Sequence, residues 1–294
     1  MNTEVPSRRQ PGTPCWASLM AHRADLARDF YGALFGWEFV PGPQQLGWYA
    51  LAVVGGLRVA GIGEGAPEAD RPVSWTTILT VDDVDRAAES VRECGGTVGI
   101  GPLDIGEDGR LAVAVDPSGA VFGIWQSGAF GGADLTGAPG SVARSELVTH
   151  DSAMVGKFYE MVFGFELERE GPGDDDRAVL TLDGRAVAGV HGVGPDLPRD
   201  RGAHWMTAFA VEDVPAAARL ASRVLTPPHS GPHGPAATLA GPEGAAFALL
   251  ARVQPGLGRV TPPRPAASST AGAGRPRGPG RPLRGPRRRR RGRR

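Results

Sequence analysis

Two segments 128 residues apart say nearly the same thing, and this repeat constrains the fold more than any other feature. Residues 30–37 read Phe-Tyr-Gly-Ala-Leu-Phe-Gly-Trp, and residues 158–165 read Phe-Tyr-Glu-Met-Val-Phe-Gly-Phe. Further landmarks return in the same order. Val81-Asp82-Asp83-Val84 returns as Val211-Glu212-Asp213-Val214, and Asp116-Pro117-Ser118-Gly119 returns as Gly241-Pro242-Glu243-Gly244. A period this long exceeds that of a solenoid repeat and matches a whole domain. The chain is therefore a tandem duplication, and its 294 residues hold two copies.

Within copy one, Cys15–Ala21 has β character, and Ala24–Phe35 carries Leu26, Phe30, Leu34 and Phe35 near helical spacing. Gly36 stops that helix. Strands are expected at 37–40, 47–53 and 57–62, separated by Pro/Gly-rich turns. The plan then recurs: a strand at 74–81, a helix capped by Asp82 or Asp83 and ended by Gly95-Gly96, and strands at 98–100, 110–115 and 121–126. This is β-α-β-β-β twice per copy. Many strands joined by short turns, with few helices, point to α+β folding with curved sheets rather than a doubly wound parallel sheet. Copy two is shorter: the offset falls from 130 at Val211 to 125 at Gly241, and the Gly95-Gly96 stop has no counterpart. The expected organisation is a flexible N-terminus at 1–13, domain one at 14–127, a linker at 128–141, domain two at 142–252 and a tail at 253–294.

Charge divides the chain unevenly. Of its 32 Lys and Arg residues, 13 lie from Pro255 onward, and none of its 32 acidic residues does, which leaves the remainder at 19 against 32, a net of −13. The tail is mostly Arg, Pro and Gly and cannot bury enough apolar surface to order itself. It reads either as a tether for nucleic acid or another anionic surface, or as a solvated segment. No apolar run approaches a membrane span, and the first 14 residues lack the apolar stretch of a secretory signal. Cys15 and Cys94 have no metal-type spacing and no disulfide framework. These features point to a cytoplasmic protein.

The ordered set of strand, Phe-Tyr helix, Phe-Gly-Trp, Val-Asp-Asp-Val and Asp-Pro-Ser-Gly resembles the vicinal oxygen chelate superfamily. That superfamily includes glyoxalase I, extradiol dioxygenases and bleomycin-resistance binding proteins. The likeness covers about residues 14–126 and 142–251. It implies two tandem domains, each of two β-α-β-β-β units forming an open curved bowl. In the enzymes of the family a divalent metal sits at the bottom of the bowl and acts as a Lewis acid.

Carried over by spacing, the family's ligand positions fall here on Trp16, Thr76 and Gly123 in copy one and on Arg144, Met206 and Ala248 in copy two. None is a good ligand for a divalent ion, which needs imidazole or carboxylate. The expectation is therefore no metal. A shift of two residues keeps strand face and offers one alternative, Glu146, His204 and His191, against a polar lining in which Glu146 pairs with Arg144 or with water. His229 and His233 read as loop residues, because Ser230-Gly231-Pro232 forbids a helix between them. His22 and His150 fall at strand-to-helix junctions.

Strand alternation then names the lining. Trp16, Ser18 and Met20 should share the concave face with Thr76, Ile78, Thr80, Val121, Gly123 and Trp125, while Leu19, Trp75, Leu79, Phe122 and Ile124 face the helices. In copy two the concave face carries Arg144, Glu146, His204 and Met206. The expected ligand-binding set is Trp16, Ser18, Thr76, Trp125, Arg144, Glu146, His204 and Met206. Three functions fit. The first is a metal-free binder of an aromatic or apolar small molecule, similar to the drug-sequestering members. The second is a glyoxalase-like lyase, dioxygenase or hydroxylase with one divalent metal in copy two. The third is an interaction protein with filled bowls and a nucleic-acid-binding tail. The two copies can pair within one chain.

Overall fold

The computed structural model describes residues 9–65, 73–170, 176–221 and 223–252. The tail expected at 253–294 and most of the N-terminal segment lie outside them. Copy one runs β1 (Pro14–Ala21), α1 (Ala24–Phe35), β2 (Glu38–Pro41), β3 (Tyr49–Val54), β4 (Leu57–Glu64), β5 (Trp75–Val81), α2 (Val84–Glu93), β6 (Thr97–Asp104), β7 (Gly109–Val115) and β8 (Val121–Ser127). Copy two repeats it as β9 (Val142–Thr149), α3 (Ser152–Phe163), β10 (Glu166–Arg169), β11 (Asp176–Leu182), β12 (Arg185–Gly192), β13 (His204–Val211), α4 (Val214–Ala218), β14 (Arg223–Gly231), β15 (Gly234–Ala240) and β16 (Ala246–Ala251).

Each copy forms one open, curved eight-stranded sheet, ordered β2-β3-β4-β1-β5-β8-β7-β6 and β10-β11-β12-β9-β13-β16-β15-β14. The units meet at the antiparallel pairs β1–β5 and β9–β13, with Ser18 opposite Thr76 and Glu146 opposite Met206. This register puts Trp16, Ile78 and Gly123 in one row across the floor of the first bowl.

The repeated motif earns its place in the helices. Gly36 and Gly164 end α1 and α3 in the left-handed region, at φ 69° and 74°, where a side chain would be strained. Asp83 caps α2 by accepting from the backbone N–H of Asp85 and Arg86, and Asp151 caps α3 likewise. The apolar stripe of α1 differs from the expected one: Leu26 is exposed, and the buried face is Ala24, Ala27, Tyr31, Leu34 and Phe35. The motif's tyrosine is the buried anchor. Its hydroxyl accepts a hydrogen bond from Trp75 Nε1 at 3.0 Å, and Tyr159 accepts from Trp205 Nε1 at 2.9 Å. The residues missing from copy two are taken from its second helix, since α4 has five residues where α2 has ten.

The two helix-side cores are built across the duplication. α1 packs with β1, β3 and β4 of its own copy and with Phe209, Leu239 and Phe247 of copy two. α2 and α3 share a second core with Phe122 and Ile124 of copy one and Leu147, Leu180 and Trp205 of copy two. β5 and β13 approach each other, with Trp75 and Phe209 edge to face at 5.0 Å. The α1 N-terminus has no cap of its own; Glu243 from copy two accepts from the His22 and Arg23 backbone N–H groups. Leu19, Trp75, Leu79, Phe122 and Ile124 lie in these helix-side cores, as alternation predicts. Among the described residues no helix is long and apolar enough to cross a membrane, and both cysteines are free.

Candidate functional site

The concave face of copy one encloses a cavity of about 270 Å³. Trp16, Ile78 and Trp125 line it from the sheet floor, Tyr49 and Leu51 from β3, and Phe130 from beyond β8. Phe130 meets Trp16 edge to face at 5.0 Å and Trp125 at 5.9 Å. Trp125 Nε1 is tied to the Phe130 carbonyl at 2.8 Å, so one indole polar group is satisfied inside the cavity wall. Trp16 Nε1 donates to the Tyr49 hydroxyl at 3.0 Å, which also shares a hydrogen bond with Ser18 Oγ at 2.9 Å. Burial pushes the Tyr49 phenol above its ordinary pKa, and these bonds oppose the shift. Gly61 makes the arrangement possible, because a Cβ there would overlap the Tyr49 hydroxyl.

Of the copy-one residues expected to bind, Trp16 and Trp125 therefore line the cavity, Ser18 holds Tyr49, and Thr76 lies outside the lining. Tyr49 was not among the expected residues. Neither was Phe130, because the segment at 128–141 reads as a linker. It is instead bonded across the bowl: Gly128 and Phe130 N–H donate to the Asp108 carbonyl, Ala133 N–H to Cys15 and Asp134 N–H to Arg58. Asp134 also takes Arg58 Nε and Nη2 at 2.6 and 2.8 Å, and the guanidinium stacks 4.7 Å from the Phe130 ring centre. Cys15 is buried beneath this strap, its thiol pushed up to about 12, so it is no nucleophile at neutral pH.

The Arg58 hydrogen bonds hold the Asp134 carboxyl below its ordinary pKa. A lowered carboxyl stabilises the fold above the unfolded value and loses that contribution as pH falls through the folded one. Acidification below about pH 4 is thus expected to loosen the strap and shift tryptophan emission to longer wavelength. Asp134→Ala should show the shift already at neutral pH, at a cost of about 1–2 kcal/mol once partial exposure is allowed for. An unchanged acid profile in that variant would discard the strap's dependence on Asp134.

Copy two has the same floor in different chemistry. Its cavity of about 420 Å³ is lined by Arg144, Glu146, Arg177, His191, His229 and His233, with Met206, Ala208, Ala248 and Leu250 on its apolar side. Arg144, Glu146 and Arg177 stand 128 positions after Trp16, Ser18 and Tyr49. Glu146 pairs with Arg177 Nη1 at 3.0 Å and not with Arg144, which among the described residues pairs with Glu170 at 3.9 Å. Arg144, Glu146 and Met206 line the cavity as expected; His204 does not, and its Nδ1 bonds the Gly202 carbonyl at 2.8 Å. Burial, foremost, holds its imidazole below the ordinary pKa.

One expectation is corrected here, and one alternative finds no support. His229 is not in a loop but in β14, an edge strand, where Pro227 and Pro228 need give no inward ladder bond. His229 and His233 both face the cavity. The alternative metal set of Glu146, His191 and His204 is not assembled: among the described residues no three His, Cys, Asp or Glu side chains are grouped to hold a metal ion. The donor chemistry explains why. Glu146 is engaged by a guanidinium and Arg144 stands beside it, which disfavours a cation at that floor.

Comparison with known proteins agrees with this architecture. The profile described as Glyoxalase/Bleomycin resistance protein/Dioxygenase superfamily matches residues 16–124 and again residues 141–249. The chain is similar to the protein named "Putative glyoxylase CFP32" of Mycobacterium tuberculosis, 34% identical over 83% of this chain and 96% of that one. It is similar to the anthracycline biosynthesis protein DauV of Streptomyces sp. strain C5, 33% identical over 83% of this chain and 94% of the relative. Its fold matches the crystal structure of the 2,3-dioxygenase LapB from Pseudomonas sp. KL28, at TM-score 0.58 and 16% identity, over 83% of this chain and 93% of that one.

Proposed function

Because the chain belongs to the glyoxalase/bleomycin resistance protein/dioxygenase superfamily, we propose that it uses the family's bowl to bind a planar aromatic small molecule without a metal. The observation that carries this reading is the convergence of Trp16, Trp125 and Phe130 on one cavity whose floor holds no metal-ligating side chain. Three rings set edge to face leave a slot in which a flat ligand can stack. At about 270 Å³ the slot lies just below the usual range of small-molecule sites, about 300–1,000 Å³. It suits a compact ring system or one end of a larger one. The similarity to an anthracycline biosynthesis protein supports a fused-ring ligand. Arg58 and Asp108 at the lining can meet hydroxyl or carbonyl groups on the ring periphery.

A hydroxylated anthraquinone is a direct probe. At 100 times its Kd it is expected to stabilise the protein by about 2.7 kcal/mol in thermal unfolding. Trp125→Ala should weaken binding by about tenfold or more, a loss of at least 1.4 kcal/mol. Equal binding by that variant sinks the reading. So does stoichiometric Zn, Fe, Ni or Mn in protein purified without added metal, if it is lost in Glu146→Ala; that result would put a metal enzyme in its place.

A further inference from the structure

The second bowl carries a different chemistry from the first, and we propose that it is a separate site for an organic carboxylate with a small apolar body. This goes beyond the aromatic site and rests on other residues. Two guanidinium groups, Arg144 and Arg177, line the cavity against one carboxylate, Glu146. Glu146 is committed to Arg177 at 3.0 Å. Among the described residues Arg144 has one ion-pair partner, Glu170, at 3.9 Å, and its buried Nε has no hydrogen-bond partner. The His233 Nε2 is likewise buried and without a partner. Buried polar groups without partners cost free energy; a bound anion supplies the acceptor that Arg144 Nε–H lacks, and the His233 ring meets the same anion in the tautomer that carries its proton on Nε2.

The backbone places Arg144 for this role. A Cβ on Gly189 would lie 2.5 Å from Arg144 Nη2, so the guanidinium rests across the strand where only glycine leaves room. The planar fork suits a carboxylate better than a point charge would. His233, on the β14–β15 turn, faces the same space. Beside Arg144 on the floor, Met206, Ala208, Ala248 and Leu250 form an apolar surface, with Ala208 paired directly to Arg144 across the β9–β13 ladder. A carboxylate on Arg144 and His233 with its hydrocarbon part against that surface satisfies both halves of the lining. Bowl one cannot do this, because the positions of Arg144 and Arg177 are taken there by Trp16 and Tyr49.

The test is calorimetric titration of the full chain at low salt with benzoate, 3-phenylpropionate and 1-naphthoate, each beside its neutral amide. At least one acid is expected to bind saturably with one equivalent, and its amide about tenfold or more weaker. Arg144→Met should weaken the acid by about tenfold or more, and His233→Ala, on the β14–β15 turn outside both helix-side cores, by several-fold. Neither variant should change binding of the hydroxylated anthraquinone, which keeps this result separate from that of the aromatic site. No saturable binding by any acid up to about 10 mM, equal binding of acid and amide, or acid binding unaffected by both substitutions overturns the proposal.

Discussion

Phe209→Ala is expected to destabilise both copies at once, by about 3–5 kcal/mol. Phe209 belongs to copy two and has no exposed surface. Its ring lies 4.9 Å from Phe35, 5.5 Å from Trp37 and 5.0 Å from Trp75, all in copy one, and 6.1 Å from Phe247. Removing it opens a cavity in the core that seats α1, so copy one loses its support although its own sequence is untouched. At about 2–4 °C per kcal/mol for a protein of this size, the melting temperature should fall by roughly 10 °C. Far-ultraviolet and tryptophan signals should move together. Two separate transitions, with anthraquinone binding to bowl one surviving the first, would show that the copies are independent.

Asp116→Ala is expected to cost a comparable amount, about 3–5 kcal/mol, for a different reason. Asp116 is buried in the turn of copy one. One carboxylate oxygen accepts from Ser118 N–H, Ser118 Oγ and Ala120 N–H at 2.6–3.0 Å, and the other accepts from the Tyr159 hydroxyl of copy two at 3.0 Å. Alanine leaves all four donors unsatisfied, whereas Tyr159→Phe removes one bond and should cost about 1 kcal/mol. The two substitutions together should be less than additive by urea unfolding, since they share the bond. Strict additivity would mean the contact contributes nothing. Burial, the largest effect, raises the Asp116 carboxyl above its ordinary pKa against these hydrogen bonds. A raised carboxyl gives its full contribution below the unfolded value and loses it as pH rises through the folded one; Asp116→Asn should flatten that slope. The corresponding turn residue of copy two is Gly241, where a Cβ would lie 2.6 Å from the Tyr31 hydroxyl, so the two cores have solved the same contact differently.

Most of the fold was legible in the repeat. Strands and helices of copy one fall within about three residues of the places set by alternation, helical spacing and glycine stops, apart from a longer β6. Strand alternation also put Trp16, Trp125, Arg144, Glu146 and Met206 on the concave faces, because a two-residue period is a local property. The site was legible only in part. Tyr49 and Arg177 arrive from β3 and β11, strands outside the family's ligand positions, and their shared offset of 128 was the one available signal. Phe130 and Asp134 lie in a stretch of small residues and glycine that carries no periodicity, so nothing local marked it as part of a pocket. His229 was hidden because proline excludes a helix but not an edge strand, and His233, on a turn as expected, was hidden because its approach to the bowl depends on how β14 and β15 fold over it.

By itself the sequence determined a duplicated α+β chain, the face of each strand and the absence of the family's usual ligands from their six positions. Those are consequences of local backbone geometry and residue chemistry, which neighbouring residues suffice to specify. Only the tertiary structure decided that the two helix-side cores are shared between copies, that Phe130 walls the first bowl, and that one floor is aromatic while the other is ionic and pairs Glu146 with Arg177. Burial and hydrogen-bond satisfaction are settled between residues far apart in the chain, and no local pattern records which distant partner will supply them.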